Sequence, residues 1–193
     1  MRLPLYLTLL RIAMGPVFLF LYLYYQMLGI EEVVLPYVLL FVVAFCELSD
    51  FFDGFLARRR RRVTELGKVL DPMADSVFRL SVFFTFTQGI VELPLIVVLF
   101  FFIRDSVIGT LRTLCALRGV ALGARISGKI KAIVQATAVF FILLLMILYT
   151  RGYLDLETFQ NISFYIAFVT MAYTVISGVE YILSNWDYIK KAT

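Results

Sequence analysis

Histidine is absent from this 193-residue chain. That removes the commonest general base, every serine–histidine or cysteine–histidine triad and all histidine-ligated zinc sites, so acid–base chemistry falls to carboxylates, lysine or tyrosine. Cysteine is scarce as well. Cys46 and Cys115 both lie in apolar stretches without CxxC spacing, where a thiol serves as a small packing residue. Charged residues make up only 17% of the chain against 62% apolar ones, whereas a soluble domain carries roughly 25% and 45–50%. A water-soluble fold is excluded on that balance. No repeat, low-complexity tract or polar module interrupts the chain, which reads as one membrane domain over residues 1–193. Arg2 precedes the first apolar run, but no small-residue cleavage site follows, so the N-terminus is expected to be retained.

A bilayer core of about 30 Å takes roughly 20 helical residues to cross. Six stretches qualify, at approximately 5–25, 33–57, 72–90, 94–117, 129–149 and 161–184. Because lipid satisfies no strand edge, the expected fold is all-α, a six-helix integral membrane protein. The opening turns of the first stretch are expected along the interface, since Arg2, Pro4 and Thr8 precede Arg11. Basic residues fall in the second connection (Arg58 to Arg62, Lys68), in the fourth (Arg118, Arg125, Lys129, Lys131) and at both ends. Acidic residues mark the first connection (Glu31, Glu32), the third (Glu92) and the fifth (Asp155, Glu157). The positive-inside rule then places both termini in the cytoplasm. Trp186 and Tyr188 ahead of Lys190 read as an interfacial anchor. Arg59 to Arg62 set topology and attract anionic lipid, and with no recognition module beside them nucleic acid is not a partner.

Four of the chain's seven aspartates fall between residues 50 and 75. Asp50 and Asp53, spaced i,i+3 near the inner end of the second stretch, share a helix face, as do Asp71 and Asp75, spaced i,i+4 at the expected start of the third, with Pro72 in its first turn. Four carboxylates that converge at a membrane boundary repel one another and resist desolvation, so cations must compensate. The alternative is a solvated cluster paired with Arg58 to Arg62, which suits one boundary aspartate better than four. All-oxygen ligation favours Mg2+ or Mn2+. Two such ions bridged by carboxylates make a clamp for phosphoryl displacement.

The string from Asp50 reads D-x2-D-G-x2-A-R-x8-G-x3-D-x3-D, through Asp53, Gly54, Ala57, Arg58, Gly67 and Asp71 to Asp75. It resembles the complete signature of the CDP-alcohol phosphotransferases. The resemblance implies a six-helix membrane fold, commonly a homodimer, that moves a phosphatidyl or similar group from a CDP-linked donor to an alcohol and releases CMP. It makes Asp50, Asp53 and Asp71 ligands of two Mg2+ (or Mn2+) ions, with Asp75 a further ligand and the catalytic base. Gly54, Ala57, Arg58 and Gly67 would contact the CDP portion.

Beyond that signature, the segments Pro4–Arg11, Ile103-Arg104-Asp105 and Gly128-Lys129-Ile130-Lys131 are similar to bacterial members that join CDP-diacylglycerol to glycerol 3-phosphate. Two departures stand out: an asparagine usual near the N-terminus is missing, and Asp105 stands where glutamate is more usual. The similarity implies that Thr8 contacts the donor and that Arg104, Arg112, Lys129 and Lys131 hold the acceptor phosphate, at the cytoplasmic face of a bacterial inner membrane. Arg104 lies mid-span, where an ionised residue is costly; its alternative role is a structural pair with Asp105. Arg79 either neutralises a carboxylate or snorkels. Outside this class of lipid synthase, including members that take inositol phosphate, intramembrane carboxylates also suit a cation or proton transporter, although a transporter would spread them through both leaflets.

Overall fold

Apolar runs of this length can satisfy their backbone groups within lipid only by coiling into helices. The computed structural model describes residues 3–59, 65–117, 126–186 and 189–190, with side chains for 8–49, 72–115, 117, 126–186 and 189–190. Six α-helices form: α1 (Leu3–Tyr24), α2 (Leu35–Arg59), α3 (Glu65–Thr85), α4 (Leu95–Leu117), α5 (Ile126–Thr150) and α6 (Leu156–Ser184). There is no strand among the described residues. Three stretches, Thr8–Leu28, Ile126–Thr150 and Leu156–Ser184, are long and apolar enough to cross a bilayer, which makes the chain a multi-pass membrane protein.

Helix α1 packs on α2 and α3, and α6 packs on α4 and α5. The two triplets join where α2 meets α5 and where α3 meets α4. Aromatic rings fill the core: Phe18 meets Phe86 edge-on at 5.9 Å within the first triplet, and Phe83 lies 4.7 Å from Phe101 across the seam. Leu39, Val43, Ile142, Leu143 and Met146 complete this core from α2 and α5. Inside lipid such packing acts through van der Waals contact rather than exclusion of water.

Three expectations need correction. Helix α3 begins at Glu65, seven residues before the expected start, so Pro72 lies inside it rather than in its first turn. Glu65, Leu66, Lys68 and Leu70 are good helix formers that carry the helix past the apolar boundary, and the proline removes only one backbone hydrogen bond and crowds one carbonyl. Helix α6 begins at Leu156, five residues early, because Asp155 caps it: its Oδ2 accepts the Thr158 N–H at 2.9 Å. That hydrogen bond holds the exposed Asp155 carboxyl below its usual range. Lastly, α1 runs unbroken from Leu3 to Tyr24, so the chain does not turn between the opening residues and the rest of the helix.

Candidate active site

On α2, Glu47 stands one helical turn before Asp50, and on α3 Arg79 stands one turn after Asp75. Those two turns face each other. Arg79 donates from Nε to Glu47 Oε1 at 3.0 Å and from NH2 to Glu47 Oε2 at 2.9 Å, the fork geometry that fixes a guanidinium against a carboxylate. Arg79 thus neutralises a carboxylate rather than snorkelling. From α1, the buried Arg11 forms an ion pair with Asp75, whose side chain is 19% exposed. A crevice lined by Arg11, Cys46, Glu47, Asp75, Phe78 and Arg79 separates the two pairs and is too narrow to admit water. Thr8, one turn before Arg11, is also buried.

Of the aspartate signature, Asp75 alone has a described side chain. The backbones of Asp50, Asp53, Gly54, Ala57 and Arg58 belong to α2, and those of Gly67 and Asp71 to α3; their side chains lie outside the described residues. The backbone therefore supports i,i+3 and i,i+4 sharing of faces on two consecutive helices. A carboxylate-only donor set fits a hard divalent cation, and Asp75, already facing the guanidinium of Arg11, is set to face positive charge.

A second polar cluster ties α4, α5 and α6 together. Asp105 accepts from Arg104 NH1 at 3.0 Å through Oδ1 and from Lys131 Nζ at 2.7 Å through Oδ2. The three side chains are between 4% and 11% exposed, so one carboxylate serves two cations away from water. Arg104 NH2 also donates to Ser177 Oγ at 3.3 Å. Two turns nearer the α4–α5 connection, Arg112 Nε donates to the Tyr181 hydroxyl at 3.1 Å, and its guanidinium carbon lies 5.1 Å from that ring's centroid. Among the described residues three cations stand against one carboxylate, an excess of positive charge that buried surroundings make costly without an anion. The Arg104 Nε, Ser127 Oγ and Gln135 Oε1 atoms are buried without a hydrogen-bond partner among the described residues, and Ser127, Lys131 and Gln135 share one face of α5.

The structure thus gathers Arg104 and Lys131 around Asp105 and holds Arg112, two turns further along α4, against Tyr181 of α6. Lys129 is exposed and stands apart. Sequence reasoning took Arg11 as a mark of topology and passed over Glu47, Ser177, Gly178 and Tyr181. Only Arg11 carried a signal, as a charge eight residues inside an otherwise uncharged helix.

A family model described as CDP-alcohol phosphatidyltransferase matches residues 1–178. The chain is 30% identical to the CDP-diacylglycerol--glycerol-3-phosphate 3-phosphatidyltransferase of Bacillus subtilis (strain 168), over 98% of this chain and 97% of the relative. It is 32% identical to the enzyme of the same name from Rickettsia bellii (strain RML369-C), over 93% of each. A probable phosphatidylglycerophosphate synthase of Mycobacterium tuberculosis (strain ATCC 25618 / H37Rv) is 33% identical over 91% of this chain and 78% of the relative.

Proposed function

The chain belongs to the CDP-alcohol phosphatidyltransferase family, and from that premise we propose that it transfers the phosphatidyl group of CDP-diacylglycerol to sn-glycerol 3-phosphate, giving phosphatidylglycerophosphate and CMP. The observation that carries this reading is near end-to-end similarity to relatives bearing that name, with all eight signature residues in place.

The chemistry follows from the two clusters. Asp75 takes the proton of the acceptor's primary hydroxyl, a role left to carboxylates by the absence of histidine, while Arg11 steadies its carboxylate. The freed oxygen attacks the donor's β-phosphorus, and the bond to the CMP oxygen breaks with its electron pair. Asp50, Asp53, Asp71 and Asp75 would hold two Mg2+ or Mn2+ ions. Such ions, when bound, offset charge on the pyrophosphate and leaving group. Gly54, Ala57, Arg58, Gly67 and Thr8 frame the CDP portion. Arg104, Arg112 and Lys131 supply the positive charge that a dianionic acceptor requires, with Lys129 at the rim. Six spans, cytoplasmic termini, a site at the cytoplasmic face of a bacterial inner membrane and a homodimer complete the proposal.

Purified protein incubated with CDP-diacylglycerol and a panel of phosphorylated alcohols, its lipids read by mass, tests this directly. Product should form from glycerol 3-phosphate with one CMP released per lipid, and chelation should stop it until magnesium or manganese is restored. Product from inositol phosphate alone would overturn the acceptor and leave the reaction class standing.

A further inference from the structure

Arginines 104 and 112 lie two turns apart on one face of α4, and both are seated by a single turn of α6. Ser177 Oγ accepts from Arg104 NH2, and Ser177 itself donates to Thr174 O at 2.8 Å, so its oxygen is held in place. Gly178 gives the Arg104 stem room. A Cβ there would stand 2.8 Å from Arg104 Cγ, too close to the rigid root of the side chain to be relieved by its flexible end. Tyr181, one turn on and 1% exposed, accepts Arg112 Nε on its hydroxyl while its ring lies beside the guanidinium. The backbone carbonyl of Tyr181 accepts Asn185 Nδ2 at 2.7 Å, which closes the last turn of α6.

Holding Arg112 by Nε has a chemical consequence. It leaves both terminal amino groups for a ligand, and one of them lies 4.0 Å from where a Cβ on Gly128 would sit, over the first turn of α5. An arginine oriented this way recognises a phosphate with two parallel N–H donors, which a freely rotating one does at greater entropic cost. The family match ends at residue 178. Tyr181 therefore lies outside the matched segment.

We propose that Gly178 and Tyr181 are positioning residues that aim Arg104 and Arg112 at the acceptor phosphate, so that α6 sets acceptor affinity without touching the reacting atoms. The inference rests on the acceptor reading of the two arginines given above.

Tyr181→Phe keeps the ring and removes only the hydroxyl; Gly178→Ala adds only the colliding carbon. Each should raise KM for glycerol 3-phosphate roughly tenfold, the worth of one hydrogen bond to a charged group. For Tyr181→Phe, KM for CDP-diacylglycerol, kcat and the thermal midpoint in detergent should stay near wild type; for Gly178→Ala, whose added carbon also strains the packing, the readout is acceptor KM against donor KM at unchanged kcat. A merely structural role would lower the midpoint of Tyr181→Phe or move both KM values together in either variant, and would overturn the proposal. In an Arg112→Ala background, Tyr181→Phe should have no further effect on acceptor KM, because contacting residues couple; an additive effect would overturn the assignment of Tyr181. Arg112→Lys, which keeps the charge but loses Nε, is the second probe should Tyr181→Phe not fold: a wild-type KM in that variant would equally exclude the tyrosine's role. If wild type itself made no lipid from glycerol 3-phosphate, the functional reading would fail rather than the positioning one, and repeating the series with the alcohol it does use would separate them.

Discussion

Asp75 and Lys131 are both half or more hidden from water and both paired, yet they should fail in opposite ways. Asp75→Asn removes a proton acceptor and is expected to lower kcat by roughly 10²–10⁴, with acceptor KM little changed. Lys131→Ala removes a cation that shares Asp105 with Arg104 and should chiefly raise acceptor KM. Lys129→Ala, at an exposed position, should raise it less. Steady-state kinetics with each substrate varied in turn check all three. At this scale the sequence was informative where chemistry is written in spacing and silent where it depends on distant pairing. The aspartate signature is local, and its residue types alone imply hard-cation chemistry. Arg11 meets Asp75 across 64 residues and Arg112 meets Tyr181 across 69; no periodicity joins them, because those contacts exist only once helices cross.

Among the elements, α3 shows where local rules mislead. Proline favours the first helical turn, which suggested a start at residue 72. Pro72 instead sits in the helix interior, since the preceding turns have their own helix formers. All six helices were legible because lipid forces apolar runs of this length to coil. Their ends were less so, being set by caps such as Asp155 and not by hydropathy. The α2–α3 pairing rests on Glu47 and Arg79, whose side chains are 25% and 10% exposed. Removing one partner strands the other, a change that costs about 3–5 kcal/mol for a buried pair. Arg79→Met is therefore expected to lower the thermal midpoint in detergent, and Glu47→Gln combined with Arg79→Met to recover much of the loss. A double variant as unstable as the sum of the singles would show that the two do not act as a pair.

For the whole molecule, the alternation of basic and acidic connections predicts that the α2–α3 link faces the cytoplasm and the α5–α6 link faces outward. Cys46 and Cys115 are buried and should stay silent, so single engineered cysteines can report. In intact cells an impermeant thiol reagent should label Tyr153→Cys, a position 74% exposed, and leave Thr64→Cys unlabelled; the reverse pattern would invert the orientation.

Helix α1 also links the two ends of its triplet. Near one end Arg11 holds Asp75, and eleven residues on the Tyr22 hydroxyl donates to Gln88 O at 3.0 Å and accepts from Val91 N at 3.2 Å, clasping the loop between α3 and α4. Gly89 there has φ +67° and no room for a side chain against the Tyr22 ring. With a rise of 1.5 Å per residue, the two attachments are about 16 Å apart. The helix is in effect a gauge of fixed length and phase: inserting one residue between them turns the far end by about 100°. Point substitutions in that segment can leave both clasps closed, whereas a single-residue insertion or deletion must open one of them.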